Sequence, residues 1–171
     1  LQAETEKTIT FAQILDLYGY LTIDKNMSSI DYFNLVCNCV ANFMRTDVDI
    51  IKHNVLRILT FDFLICNTDR HLSNLEVIIK ADNNKVLAPI FDNGNSFLGR
   101  DGVLTDTEIE RLTLKYKSKP FSTNQWRNLI SIDYAKQLVL TWEFSVRQKY
   151  GSINNIPDVA EGHLKILKYH Q

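Results

Sequence analysis

Two stretches early in the chain repeat hydrophobic residues at helical spacing. Phe33, Val36, Val40 and Phe43 lie three or four positions apart, the period that lines side chains along one face of an α-helix. Ser28 or Ser29 stands ahead of that run as a credible N-cap, so the pattern predicts a helix from there to about Arg45. Ile51, Val55, Ile58, Leu59 and Ile65 continue the rhythm, with Lys52, His53 and Arg57 on the opposite side. Thr46 or Asp47 would cap this second helix, which runs to about Cys66. The connection from Arg45 to Asp49 is short, which makes the two helices antiparallel neighbours.

After the second helix the pattern changes. Leu75–Ile79 and Val86–Ala88 read as two strands of a hairpin turned by Asp82-Asn83-Asn84-Lys85. Residues 1–27 read as irregular, with an extended piece around Ile9-Thr10-Phe11 and a helical turn at Ile14–Leu17. Residues 93–107 hold Gly94, Gly99 and Gly102 without periodicity and read as a loop. Three further helices are predicted at Ser122–Ser131, Asp133–Tyr150 and Ile156–Tyr169, the last with Pro157 in its first turn. The expected fold class is mainly α with a small β-hairpin (α+β), in one domain spanning residues 1–171.

Composition narrows the classes. Apolar residues make up 45% and charged residues 23%, as in ordinary globular proteins. Nineteen basic against twenty acidic side chains do not favour direct nucleic-acid binding, which shows a basic excess or stripe. No apolar run approaches the roughly 20 residues that span a bilayer, and no secretory signal segment opens the chain. Cys37, Cys39 and Cys66 form no CxxC pair and read as buried, reduced thiols. A cytoplasmic protein is expected. Trp126 and Trp142, on predicted helices, read as core.

The candidate chemistry lies between the second helix and the far side of the hairpin. Asn67-Thr68-Asp69-Arg70-His71-Leu72-Ser73-Asn74 places an Asp and an Asn with four residues between them, and Asp92 of Phe91-Asp92-Asn93-Gly94 follows 18 residues after Asn74. Phosphoryl transfer asks a protein mainly for positioning and charge neutralisation. Asp69 would take the proton of an incoming hydroxyl; a positioned base contributes about 10²–10⁴ in rate. Asn74 and Asp92 would hold Mg2+, which accepts few protein ligands and keeps phosphate oxygens and waters in its other positions. A hairpin between them returns the chain to the end it left. Asp and Asn are also common turn formers; the ordered conjunction of helix, loop, hairpin and acidic turn favours the chemical reading. Arg70 could stabilise transferred charge or pair with a carboxylate. His71 could orient Asp69, touch a phosphate or bond the loop backbone. Asp62 interrupts an apolar helical run and would cap or pair internally. Ser96, Thr105 and Thr107 are hydroxyls in the loop after Asp92. His53, His163 and His170 show no metal-ligand spacing.

Leu64 to Asn74, together with Ala88-Pro89-Ile90-Phe91-Asp92-Asn93-Gly94, resembles the catalytic core of HipA-like kinases, with more distant similarity to phosphatidylinositol kinases. The detailed match covers about residues 47–97. The resemblance implies the C-terminal lobe of a protein-kinase-like fold, a catalytic loop at 67–74 and a metal-binding turn at 91–94. It implies Asp69 as base, with Arg70 and His71 as catalytic candidates, and Asn74 and Asp92 as the ligands of Mg2+ and thereby of ATP. The substrate would be a protein Ser or Thr, in a family associated with toxin–antitoxin systems. The His-Arg-Asp order of protein kinases is absent and Asn93 stands where Asp-Phe-Gly has Phe.

No Gly-x-Gly-x-x-Gly and no Walker A sequence occurs. The nucleotide-clasping N-terminal lobe is therefore expected to be absent, the chain being a fragment or half of a split enzyme with a partner subunit. Two rival readings are a lipid kinase and a non-catalytic binding or scaffold lobe. Residues 93–112 carry Arg100 and Arg111 against Asp101, Asp106, Glu108 and Glu110, which disfavours a membrane-facing surface.

Overall fold

The computed structural model describes residues 6–22, 24, 26–96, 105–115, 121 and 137. In chain order these form β1 (Lys7–Thr10), α1 (Phe11–Leu17), α2 (Ser29–Met44), α3 (Val48–Leu64), a 3-10 turn (Leu72–Asn74), β2 (Glu76–Ile79), β3 (Lys85–Leu87) and α4 (Asp106–Lys115). The described part is mostly helical with a small antiparallel sheet, an α+β arrangement.

The helix pair follows the hydrophobic pattern. Ser28 caps α2 by accepting from the Asp31 amide, and Asp47 caps α3 by accepting from the Asp49 amide. Each satisfies an amide that the first helical turn leaves without a partner. α2 stops because Arg45 takes the left-handed conformation at φ +57°, which lets the Thr46 amide reach back to the Ala41 carbonyl at 3.1 Å. The chain then reverses into α3, which packs on α2. Phe33, Val36, Cys37 and Val40 of α2 meet Ile51, Val55 and Leu59 of α3 in one core, and Phe43 and Ile58 pack half-buried at its margin. Phe121 completes it, edge-on to the rings of Tyr32 and Phe33.

The extended piece expected around Ile9-Thr10-Phe11 is the strand β1, and the helical turn expected at Ile14–Leu17 is part of α1. β1 pairs antiparallel with β2, from Lys7 opposite Ile79 to Thr10 opposite Glu76, so the hairpin becomes a three-stranded sheet in the order β1-β2-β3. Thr10-Phe11-Ala12-Gln13 is a capping box that opens α1: Thr10 accepts from the Gln13 amide, and Gln13 accepts in return from the Thr10 amide. Phe11, Ile14 and Leu15 then enter the core. A second capping box, Thr105-Asp106-Thr107-Glu108, starts α4, where the composition suggested loop through residue 107. The helices expected at 122–131, 133–150 and 156–169, with Trp126 and Trp142, lie outside the described residues apart from Gln137.

The hairpin is strapped to the helices. Lys85 on β3 donates to the carbonyl of Phe43 at 2.7 Å and its ammonium stands 4.4 Å from the centre of the Phe43 ring. A cation therefore meets both the C-terminal end of α2 and an aromatic face. Val77 is fully buried beneath the sheet. Since β2 begins two residues after Asn74, the start of the sheet fixes where that side chain stands.

Candidate active site

Asp62 and Arg70 form the floor of the site. Both side chains are fully buried. Asp62 lies in the last turn of α3; Cys66 then adopts φ +49° and the Asn67 amide returns to the Asp62 carbonyl at 2.8 Å, which turns the chain out of the helix. The carboxylate of Asp62 accepts from Arg70 Nε at 2.9 Å, Arg70 Nη2 at 3.1 Å and Asn67 Nδ2 at 2.9 Å. Burial pushes the Asp62 carboxyl above the usual carboxylate range, and the bonds from Arg70 and Asn67 oppose that rise.

The remaining donors of Arg70 tie down two separate segments. Nη1 donates to the carbonyls of Asn74 and Phe91, and Nη2 also donates to Asn93 Oδ1. A guanidinium carries five N–H groups, and all five are used within the fold. Arg70 therefore clamps the loop at 67–74 to the turn at 91–94, and no donor is left over to meet a phosphate.

Asp69 and Asn74 stand above this floor. The Asp69 amide donates to Asn67 Oδ1 at 3.1 Å, while the Asp69 carbonyl accepts from Asn74 Nδ2 at 3.3 Å. The same nitrogen of Asn74 donates to Asp92 Oδ2 at 2.7 Å. Both N–H groups of the Asn74 amide are thus engaged, and its oxygen is the atom left to face a ligand. Asp92 is exposed and held at φ +55°, a left-handed conformation that Asp adopts more readily than most residues. The Asp69 carboxylate accepts from Asn95 Nδ2 at 2.8 Å. Asp69, Asn74 and Asp92 are therefore linked by a continuous chain of hydrogen bonds. His71 is exposed and precedes the 3-10 turn without capping it.

One carboxylate and one amide oxygen make a hard, oxygen-only donor pair. This suits Mg2+, provided phosphate oxygens and water complete the octahedron. Among the described residues, no group of three or more His, Cys, Asp or Glu side chains could hold a metal by itself. Of the loop hydroxyls, Ser96 is buried with its Oγ lacking a partner among the described residues, Thr105 caps α4 and Thr107 is exposed. The three cysteines are buried, with no disulfide among the described residues. No described helix is long and apolar enough to cross a membrane.

Asn67, Asn93 and Asn95 do the connecting work that the sequence pattern did not assign. Each is an Asn in a polar loop, which by itself signals only a turn. Their density around two Asp residues is the trace they leave.

A crystal structure of a Helicobacter pylori proinflammatory kinase, CtkA, is similar in fold, with a TM-score of 0.55. The similarity covers 97% of this chain and 63% of that chain, at 16% identity. The fold resembles that of a kinase. This chain thus spans less than two thirds of the length of the kinase that it matches. No protein-family model and no curated protein matches the sequence.

Proposed function

We propose that this chain is the C-terminal catalytic lobe of an ATP-dependent, HipA-like kinase that phosphorylates a protein on Ser or Thr. The observation that carries the reading is the 2.7 Å contact between Asn74 and Asp92, with the backbone carbonyl of Asp69 bonded to the same amide. Three groups that the motifs single out, up to 23 residues apart, share one corner of the molecule. The kinase-like fold supports the same reading.

In this proposal Asp69 accepts the proton of the attacking Ser or Thr hydroxyl, while Asn74 and Asp92 hold Mg2+. The cation, when bound, neutralises charge on the phosphates. Arg70 acts from beneath, by aligning the two loops. His71, exposed beside the loop, is free to meet the substrate or a phosphate. Residues that clasp the nucleotide come from a further lobe, fused or supplied by a partner, and the assembly works in the cytoplasm.

Transfer of γ-phosphate from labelled ATP to a protein acceptor, by the chain joined to a nucleotide-clasping lobe, tests the proposal. Expected is incorporation into Ser or Thr that Asp69→Asn abolishes. Incorporation that is absent, or indifferent to this substitution, would point instead to a binding or scaffold lobe. Incorporation into phosphoinositide but not protein would favour a lipid kinase.

A further inference from the structure

Asn95 bridges the two halves of the site. It lies three residues beyond Asp92, and its Nδ2 donates to Asp69 Oδ2 at 2.8 Å. We infer that Asn95 is a positioning residue whose side-chain amide holds the Asp69 carboxylate in its working orientation and couples it to the turn that carries Asp92. This inference rests on the kinase reading.

The backbone of Asp69 is pinned on both sides, its N–H on Asn67 Oδ1 and its carbonyl on Asn74 Nδ2. The backbone around Asn95 is also held independently: Arg70 grips Phe91 and Asn93, the Ser96 amide returns to the Asn93 carbonyl, and the Thr68 amide approaches the Asn95 carbonyl. The Asn95 amide acts instead on the rotation of the Asp69 side chain. A hydrogen bond from a half-buried amide on an anchored loop restrains that rotation. Misplacing a reacting group by about 1 Å can cost about a hundredfold in rate, so the restraint matters more to turnover than to folding.

The donor also has a defined chemistry. An amide N–H holds one carboxylate oxygen without supplying a charge, so Asp69 keeps its capacity to accept a proton. Aspartate at position 95 would have the same shape but no N–H, and would set a second negative charge against Asp69. A residue that merely fills space would tolerate this isosteric change better than truncation. A residue that positions by donation would tolerate it worse.

The test compares Asn95→Ala, Asn95→Asp and Asp69→Ala in the full chain joined to a nucleotide-clasping lobe, by phosphoryl transfer and by NMR of the Asn95 side-chain amide. Expected is an Asn95 amide resonance that moves on Asp69→Ala. Expected also is kcat lower by about tenfold to a hundredfold in Asn95→Ala, lower again in Asn95→Asp, with the KM for ATP unchanged. An Asn95 resonance indifferent to Asp69→Ala, or Asn95→Asp turning over faster than Asn95→Ala, would overturn the inference. Absence of transfer by the parent assembly, with the amide signature intact, would instead overturn the kinase reading and remove the catalytic meaning of the contact.

Discussion

Asn74 donates its side-chain amide to Asp92 across 2.7 Å, although a complete β-hairpin separates the two in the chain. The relationship is made by the antiparallel return of β3 on β2 and then locked by Arg70, which binds the carbonyls on either side, at Asn74 and Phe91. An exposed carboxylate held next to a nearly buried amide has no evident value for stability. On the proposed reading its value lies in the oxygens it presents.

Asp92→Asn should therefore leave the fold intact while removing the proposed charged ligand of Mg2+. Expected is a melting temperature close to that of the parent and loss of phosphoryl transfer in the lobe-joined protein. Asp69→Asn should behave alike in melting, with transfer lower by about 10²–10⁴. Calorimetry alongside a transfer assay checks both.

Asp62→Ala should be costly for a different reason. It strands the fully buried Arg70 guanidinium without its anion, and breaking a buried pair from one side costs about 3–5 kcal/mol. Replacing Asp62 and Arg70 together with apolar residues should cost less stability, yet still release the turn at 91–94. Urea denaturation compares the stabilities; hydrogen exchange of residues 90–96 reports the release.

Cys37 should be inert. Burial pushes its thiol up to about 12, with only a partial opposing effect from Lys52. The nucleophile is the thiolate, so at pH 8 the folded protein should show no Cys37 reaction with a disulfide reagent. Reaction should appear once urea unfolds the α2–α3 core. Mass spectrometry of the labelled peptide distinguishes the two states.

Glu108 should link α4 to acid. Bonds from the amide and hydroxyl of Thr105 hold its carboxyl below the usual range, so the folded state favours the ionised form. The contribution is present above the unfolded pKa and is lost as pH falls through the lower folded one. Expected is loosening of the Thr105–Glu108 cap on acidification, with the Glu108 carboxyl titrating below its value in an unfolded peptide, as read by carboxyl-carbon NMR. In Thr105→Ala that carboxyl should return toward the unfolded value.

The helix pair was legible in the sequence because burial there follows a period of 3.6, from Phe33 to Phe43, and the hairpin because the polar Asp82–Lys85 turn separates two short apolar runs. The pairing of Asp62, a lone acid in an apolar run, was legible for the same reason, since an unpartnered charge there would be intolerable. β1 and α1 were legible only as an extended piece around Ile9-Thr10-Phe11 and a helical turn at Ile14–Leu17; their full bounds and the pairing of β1 with β2 were not. β1 is four residues long, and its place is set by β2, nearly 70 residues away, so nothing local announces it. Two capping boxes could have been found from Thr10-x-x-Gln13 and Thr105-x-x-Glu108. In the site, the Asp and Asn of the motifs stood out by order and spacing. The joining roles of Asn67, Asn93 and Asn95 did not, because an amide that bridges loops has the same local signature as one that caps a turn.

Asp62 belongs to a helix, yet it supports residues 91–93 through Arg70. Fraying of the last turn of α3 would slacken the platform under both loops at once and disarm the corner without altering any of the three groups that define it.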